Sequence, residues 1–394
     1  MEGERRESSQ HTPVDLSELH HQVAYGQSGG RIIWQPRITC WLYDKLFAGQ
    51  ELPPPFCGMT EQVQIYRELN RRANVSARIY KFGSCFERVE HPSVKIHDRQ
   101  FNETDTETTI ETPVGSQTTI RRKSSTSRPL RTVKYPIASK DEMEVAIWRE
   151  ENVCWHWNQE TYEHICREWQ GLGAPTMFMP RVNIQHLYIN DMGTENGIYA
   201  LHDWPDIAAR YFRVLDESHA RLIDVINDSP IDIINFGDNI HAGTLPPEWF
   251  VRFVLPSYRS RCERLHEAGK FCSAHWDGDA GPLLPLARET GLDGLEAITP
   301  KPQGDVTLED MKKSLGDEIT LLDGIPAILF DSYYPLSELE EFAQRVIDLF
   351  APRLILGISD ELSSTGEIDR ICRVAAMVDE HNARFSGDTQ DQEL

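Results

Sequence analysis

The chain lacks the signatures of several large enzyme classes. It has no G-x-S-x-G elbow, no Walker loop, no G-x-G-x-x-G after its first candidate strand and no H-E-x-x-H. Serine hydrolysis, nucleotide-triphosphate hydrolysis and dinucleotide-dependent hydride transfer are therefore weak readings. No apolar run approaches the roughly 20 residues of a membrane-spanning helix, and the N-terminal MEGERRESSQHTP lacks the apolar core of a signal peptide. A cytoplasmic location is expected. Basic residues are in deficit, with Lys+Arg 40 against Asp+Glu 62 and a formal net charge of -22 over 394 residues. Such a charge repels a phosphate backbone and an anionic membrane surface alike. The 8 cysteines, Cys40, Cys57, Cys85, Cys154, Cys166, Cys262, Cys272 and Cys372, form no C-x-x-C pair and no regular framework. They read as reduced, mostly packed thiols.

What is present is a repeated unit of apolar strand, loop and amphipathic helix, with 40% hydrophobic residues to fill a core. Candidate strands are Arg31–Gln35, Ala77–Phe82, Thr176–Pro180, Ile231–Phe236, Lys270–His275, Leu292–Ile298, Ile319–Asp323 and Arg353–Ile358. Eight such strands predict an α/β protein of the (β/α)8 TIM-barrel type. The helices expected between or after them are Pro205–Asn227, Pro247–Ala268, Pro282–Thr290, Leu308–Leu315, Leu336–Phe350 and Glu367–Phe385. Thr- and Ser-rich Glu103–Tyr135 breaks the rhythm, and Pro113-Val114-Gly115-Ser116 separates TTIE from QTTI. That pattern predicts an antiparallel hairpin insertion, serving either as decoration or as a lid. The expected division is a tail with a lead-in helix over 1–30, one barrel over 31–386 with a β-rich insertion at 84–136, and an acidic tail over 387–394.

In such a barrel, chemistry sits at the C-terminal ends of the strands. The segment FCSAHWDGDAG places His275, Asp277 and Asp279 directly after an apolar run, where they suit proton transfer, a divalent metal or hydrogen bonds to a polar substrate. After IDIINF come Asp238, Asn239 and His241, which either serve the same mouth or cap a βα loop. Glu296, Asp323 and Glu361 follow later strands, and gathered acids raise one another's pKa or demand a cation. Trp34 and Arg37 are expected at the mouth of the first strand, with Arg37 as a fork for a carboxylate or as one half of a surface ion pair. The resulting candidates are His275, Asp277, Asp238 and His241 for catalysis. Arg37, Trp34, Asn239, Asp279, Glu296 and Asp323 are candidates for substrate, and His275, Asp277 and Glu361 for a metal.

The segments AHWDGDAGPLLPLARETGLDGLEAI, GDNIHAGTLPPEWFVRFVLPSY and LILGISDE together resemble the uroporphyrinogen decarboxylase superfamily, and within it the branch of corrinoid-dependent methyltransferases. The resemblance runs best from Ile231 to Ala376. It implies a distorted (β/α)8 barrel, a small O- or N-methylated substrate, and a corrinoid brought by a partner protein. In methyltransferases that use a thiol acceptor, a His-x-Cys motif and a later Cys hold zinc. The matching places here are His275, Asp277 and, after the last strand, Ser359 or a neighbour such as Glu361. Two thiolates are thus missing, which favours a harder cation over zinc. The decarboxylase proper is a poorer match, since the chain keeps Arg37 without the R-Q-A-G-R-Y motif and carries a foreign insertion. The alternatives to methyl transfer are a decarboxylase or lyase acting on a small carboxylate and a non-catalytic ligand-binding barrel. A homodimer is one of the assemblies left open.

Overall fold

The computed structural model describes residues 15–385, so the acidic tail and most of the N-terminal tail lie outside the described residues. In chain order the strands are β1 (Ile33–Trp34), β2 (Phe86–Val89), β3 (Lys95–Gln100), β4 (Asp105–Thr112), β5 (Gly115–Arg122), β6 (Arg131–Lys134), β7 (Cys154–Trp157), β8 (Thr176–Met179), β9 (Ile233–Ile240), β10 (Phe271–Trp276), β11 (Gly294–Glu296), β12 (Thr320–Pro326) and β13 (Leu354–Ser359). Seven of them form a curled parallel sheet in the order β1-β13-β12-β11-β10-β9-β8. Every residue of β10, β12 and β13 is buried, as expected of parallel strands covered on both faces.

The eighth expected strand is not a ladder strand. Residues 77–82 make isolated bridges at Ile79–Pro175 and Lys81–Met177. The Ser76 N–H donates to Trp34 O at 3.0 Å, and the Ala77 N–H to Leu172 O at 2.7 Å. The segment therefore runs beside both ends of the sheet, β1 and the approach to β8, through single bonds rather than a continuous ladder. The eightfold expectation is corrected to seven strands plus this seam.

The helices Pro205–Asn227, Leu308–Leu315 and Leu336–Phe350 occupy the residues expected of them. Leu308–Leu315 is opened by a capping box between Thr307 and Asp310. Leu336–Phe350 buries Leu339, Ala343, Val346, Ile347 and Phe350 along one stripe. Two expectations shift locally: 284–289 is a 3-10 turn, and the helix from Pro247 contains a π segment at Phe250–Val254. The insertion is larger than one hairpin. The expected β4–β5 hairpin turns at Pro113-Val114, with β3 and β6 flanking it to make a four-stranded antiparallel sheet, while β2 pairs with β7.

The two ends of the parallel sheet differ. At its N-terminal end Leu16, Val23 and Ala24, on or beside the helix Ser17–Ala24, pack on Ile33, Ala174, Ile233, Phe271, Leu322 and Ile355 and plug it with apolar side chains. Polar groups gather at the other end.

Candidate functional site

Backbone strain marks that second end. Asn239 at φ 55°, Ala297 at 67°, Asp323 at 82° and Asp360 at 70° are all left-handed without being glycine; Asn239, Ala297 and Asp360 lie at or just past the ends of β9, β11 and β13, and Asp323 lies within β12. Such strain concentrates where a surrounding structure fixes a functional geometry.

Beneath these tips lies a buried charge cluster centred on Glu296. One oxygen of its carboxylate accepts from Arg78 and from the Tyr80 hydroxyl. The other accepts from Asn235 Nδ2 at 3.1 Å and meets His275 Nδ1 at 2.8 Å. A carboxylate only accepts, so the His275 Nδ1–H donates, and Nε2 is left for the cavity. Arg78 also donates to Asp323 Oδ1 at 2.9 Å, and the Ala297 N–H donates to Asp323 Oδ2 at 3.2 Å. Burial alone would raise the pKa of both acids. Glu296 nevertheless stays well below its ordinary value because Arg78 and the His275 hydrogen bond favour its charge. Asp323 has fewer donors and faces the Glu296 charge, and its carboxyl is pushed up to about 6, burial being the largest cause. One arginine shared by two carboxylates thus fixes the charge on Glu296 and leaves Asp323 the weaker acid of the two.

Above the cluster opens a cavity of about 380 Å³, lined by Arg37, Phe178, Arg181, His186, Asn190, Asn239, His275 and Asp360 among others. His275 itself is 4% exposed. Its Nε2 lies 4.0 Å from Asp360 Oδ1. Burial raises the Asp360 pKa, against the pull of Arg37 and His275. Arg37 Nη2 holds Glu361 at 2.9 Å, and Arg37 Nη1 is 3.6 Å from Asp360. Burial opposes the Arg37 charge, but Glu296 and Glu361 raise its pKa above the ordinary value. Arg37 Nη1 and Arg181 Nε are buried without a hydrogen-bond partner. The wall at Asn190 comes from a π-helical turn, Leu187–Asp191, a distortion common at functional sites, and His186 ends the short helix just before it.

The uroporphyrinogen decarboxylase (URO-D) family model matches residues 188–380. Those residues carry the pattern of the uroporphyrinogen decarboxylase superfamily. A methyltransferase from Methanosarcina mazei superposes with a TM-score of 0.57 at 11% identity, over 93% of this chain and 98% of that one, which is a likeness of fold. A protein described as a vitamin-B12 independent methionine synthase from Listeria monocytogenes is more distant, with a TM-score of 0.36 at 12% identity over 58% of this chain and 71% of that one. No curated protein matches the sequence.

The residues expected at the site from sequence part company. His275, Arg37 and Asn239 line the cavity, and Glu296 and Asp323 lie directly beneath it. Asp277 stands at the rim, bonded to the Gly278 N–H at 2.6 Å and 3.5 Å from Asn239 Nδ2. Trp34 is a correction: it is buried against Phe330, with Nε1–H donating to Ile371 O at 3.1 Å, because β1 turns it outward onto the helix layer. Asp238 is a second correction of place. Fully buried, it accepts from the Val182 N–H and the Tyr258 hydroxyl, both at 2.7 Å, so it ties β9 to its neighbours and does not line the cavity. His241 bonds Thr244 at 3.2 Å in the following loop, and Asp279 is exposed, its carbonyl accepting from the Ala242 N–H. Neither lines the cavity.

The metal trio does not assemble. Glu361 is held by Arg37 and by the Cys40 N–H at 2.7 Å, and Asp277 by its own loop. Among the described residues, the His, Cys and carboxylate atoms that gather within reach of one ion are those of His266, Cys272 and Asp293. That group sits by the start of β10, and Asp293 there is already occupied by the His266 ring and the Cys272 N–H, each at 2.8 Å. The residues named for zinc therefore do not fit it.

Sequence reasoning missed Arg78, Tyr80, Asn235, Arg181 and His186. Arg78 and Tyr80 carried a usable signal, since they alternate with Ala77 and Ile79 and so share one face.

Proposed function

We propose that this chain is a methyltransferase that moves a methyl group from a small O- or N-methylated substrate to a corrinoid carried by a separate protein. The observation that carries the reading is the His275 imidazole, fixed at Nδ1 by buried Glu296 and presenting Nε2 to the cavity beside Asp360. The superfamily pattern and the shared fold of the M. mazei methyltransferase support it. The cavity has the volume of a small-molecule site, so it fits the methylated substrate and leaves the macrocycle to the partner. A corrinoid, when supplied, contributes cobalt as the nucleophile for the methyl group.

The chain's residues would act on the other end of the breaking bond. An alkoxide or amide leaves poorly unless its charge is neutralised, and protonated His275 donates from Nε2 to that heteroatom. Glu296 stabilises the imidazolium from behind and fixes its orientation, while Asn239 and Arg181 contact the polar parts of the substrate. Methyl transfer from a panel of ethers and amines to free cob(I)alamin can be followed by its visible spectrum. His275→Gln should slow it by about 10²–10⁴-fold while substrate binding changes little. The reading fails if no member of the panel reacts, or if H275Q reacts as fast as the parent.

A second reading has its own support. The unpartnered N–H groups of Arg37 and Arg181 face a cavity with His275 as proton donor, which suits a decarboxylase or lyase acting on a small carboxylate. Release of carbon dioxide without any corrinoid would select it.

A further inference from the structure

A second cavity of about 270 Å³ adjoins the first. The two share His186 and Pro180 in their walls, and the second is closed by Trp155, Arg149, Glu150 and Tyr211. Its outer wall joins the insertion to the chain that follows it: Arg88 and Gln117 come from β2 and β5, Arg149 and Glu150 from the helix Lys140–Asn152, and Trp155 from β7. This chamber is charge-balanced. Arg88 pairs with Glu150 at 2.9 Å and with Glu90 at 3.0 Å, and Arg149 with Glu90 at 2.6 Å. Its arginines are therefore spent on its glutamates, and its further carboxylate, Asp191, is bonded by the Tyr211 hydroxyl.

Two polar atoms in these walls are unsatisfied. Trp155 Nε1 and His186 Nδ1 are buried without a hydrogen-bond partner. An indole N–H can only donate, so it requires an acceptor. The other nitrogen of His186 lies 3.6 Å from Asp191 Oδ2, and Asp191 is in turn bonded by the Tyr211 hydroxyl. A carboxylate on that side draws the ring proton to Nε2 and leaves Nδ1 as an acceptor. A hydroxyl group offers what each atom lacks, a lone pair for the Trp155 N–H and a proton for His186 Nδ1. Leaving such groups unpaired in a buried chamber costs free energy that a ligand recovers.

We infer that the second chamber is a subsite for an uncharged, hydroxyl-bearing tail of the substrate whose reacting end lies against His275. The head of that substrate rests on the methyl transfer proposed above; the subsite rests on the chamber. The insertion then sets how long a substrate the barrel accepts, beyond acting as a cover.

The test uses the full chain and three methyl ethers of increasing length: 2-methoxyethanol and the monomethyl ethers of diethylene and triethylene glycol. In ¹⁵N-labelled protein the Trp155 indole signal, assigned by its loss in Trp155→Phe, should move with the longer ethers and stay in place with the shortest. The longer ethers should bind about tenfold more tightly. That gain should vanish in W155F and in Ala146→Phe, which fills the chamber without removing a polar group. Equal affinity along the series in the parent, or an indole signal that none of the ethers moves, overturns the subsite. Methyl transfer to cob(I)alamin, measured on the same ethers, reports separately on the proposed reaction: length-dependent binding without transfer keeps the subsite and removes the reaction, and the reverse outcome does the opposite.

Discussion

Arg78 is the residue on which the charges at the site balance. It is fully buried between Glu296 and Asp323, and both acids depend on it. Removing one member of a buried charge cluster leaves the others uncompensated, so Arg78→Met should cost about 3–5 kcal/mol of stability, read from urea unfolding. Its effect should exceed that of Glu361→Gln, whose partner Arg37 keeps Asp360 nearby. The acids also set a pH dependence. The folded-state pKa of Asp323, about 6, lies above its ordinary 3.8, so its contribution to stability is fully present below about 4 and is lost as pH rises through about 6. Glu296 has the opposite sign, contributing above its ordinary value and losing that contribution on acidification. Asp323→Asn removes the first effect, so the mutant's stability relative to the parent should improve between pH 4 and pH 6, as measured by unfolding across that range. At this scale the sequence exposed His275, whose setting after an apolar run is unusual. It could not tell Asp238 from Glu296, because both follow apolar strands and only the neighbouring chain decides whose oxygens are spent on the scaffold.

At the scale of elements, the helices were legible where a cap and a 3.6-residue stripe agreed, as in Leu308–Leu315, or where the stripe was long, as in Leu336–Phe350. The parallel strands were legible as short apolar runs. The segment 77–82 misled because its apolar alternation is that of a strand while its bonds go to single partners on either side. Within the β-rich insertion expected over 84–136, β3 was not legible as a strand because it is exposed at every residue and has no apolar face to betray it. A close backbone contact holds the segment in place: a Cβ on Gly173 would stand 2.1 Å from Ala77 O. Gly173→Ala should therefore push 77–82 away and cost about 1–3 kcal/mol by overpacking. The same substitution should lower turnover through displaced Arg78, although residue 173 contacts no part of the cavity. Thermal unfolding and the cob(I)alamin assay would together show both effects, and a fully active G173A would contradict the link.

At the scale of the molecule, the formal net charge of -22 makes the folded chain repel itself. Salt screens that repulsion over roughly 10 Å at 0.1 M, so the melting temperature should rise from 20 to 200 mM sodium chloride. A fall instead would mean that the ion pairs dominate. No helix among the described residues is long and apolar enough to cross a membrane. The curled parallel sheet could be anticipated from the rhythm of the sequence because each βα unit carries its own periodicity. The second chamber could not, since Trp155 and His186 are brought together only when the insertion folds back on the sheet.

The seam beside β1 and β8 therefore has a consequence reaching past architecture. The guanidinium that neutralises the acids below the cavity is delivered by the stretch of chain least fastened to the rest of the sheet, so brief breathing of that stretch would withdraw the counter-charge and silence the imidazole without unfolding anything else. Deuterium should enter the amides of 77–81 ahead of those in β12 and β13, and conditions that hasten that entry should depress turnover in step.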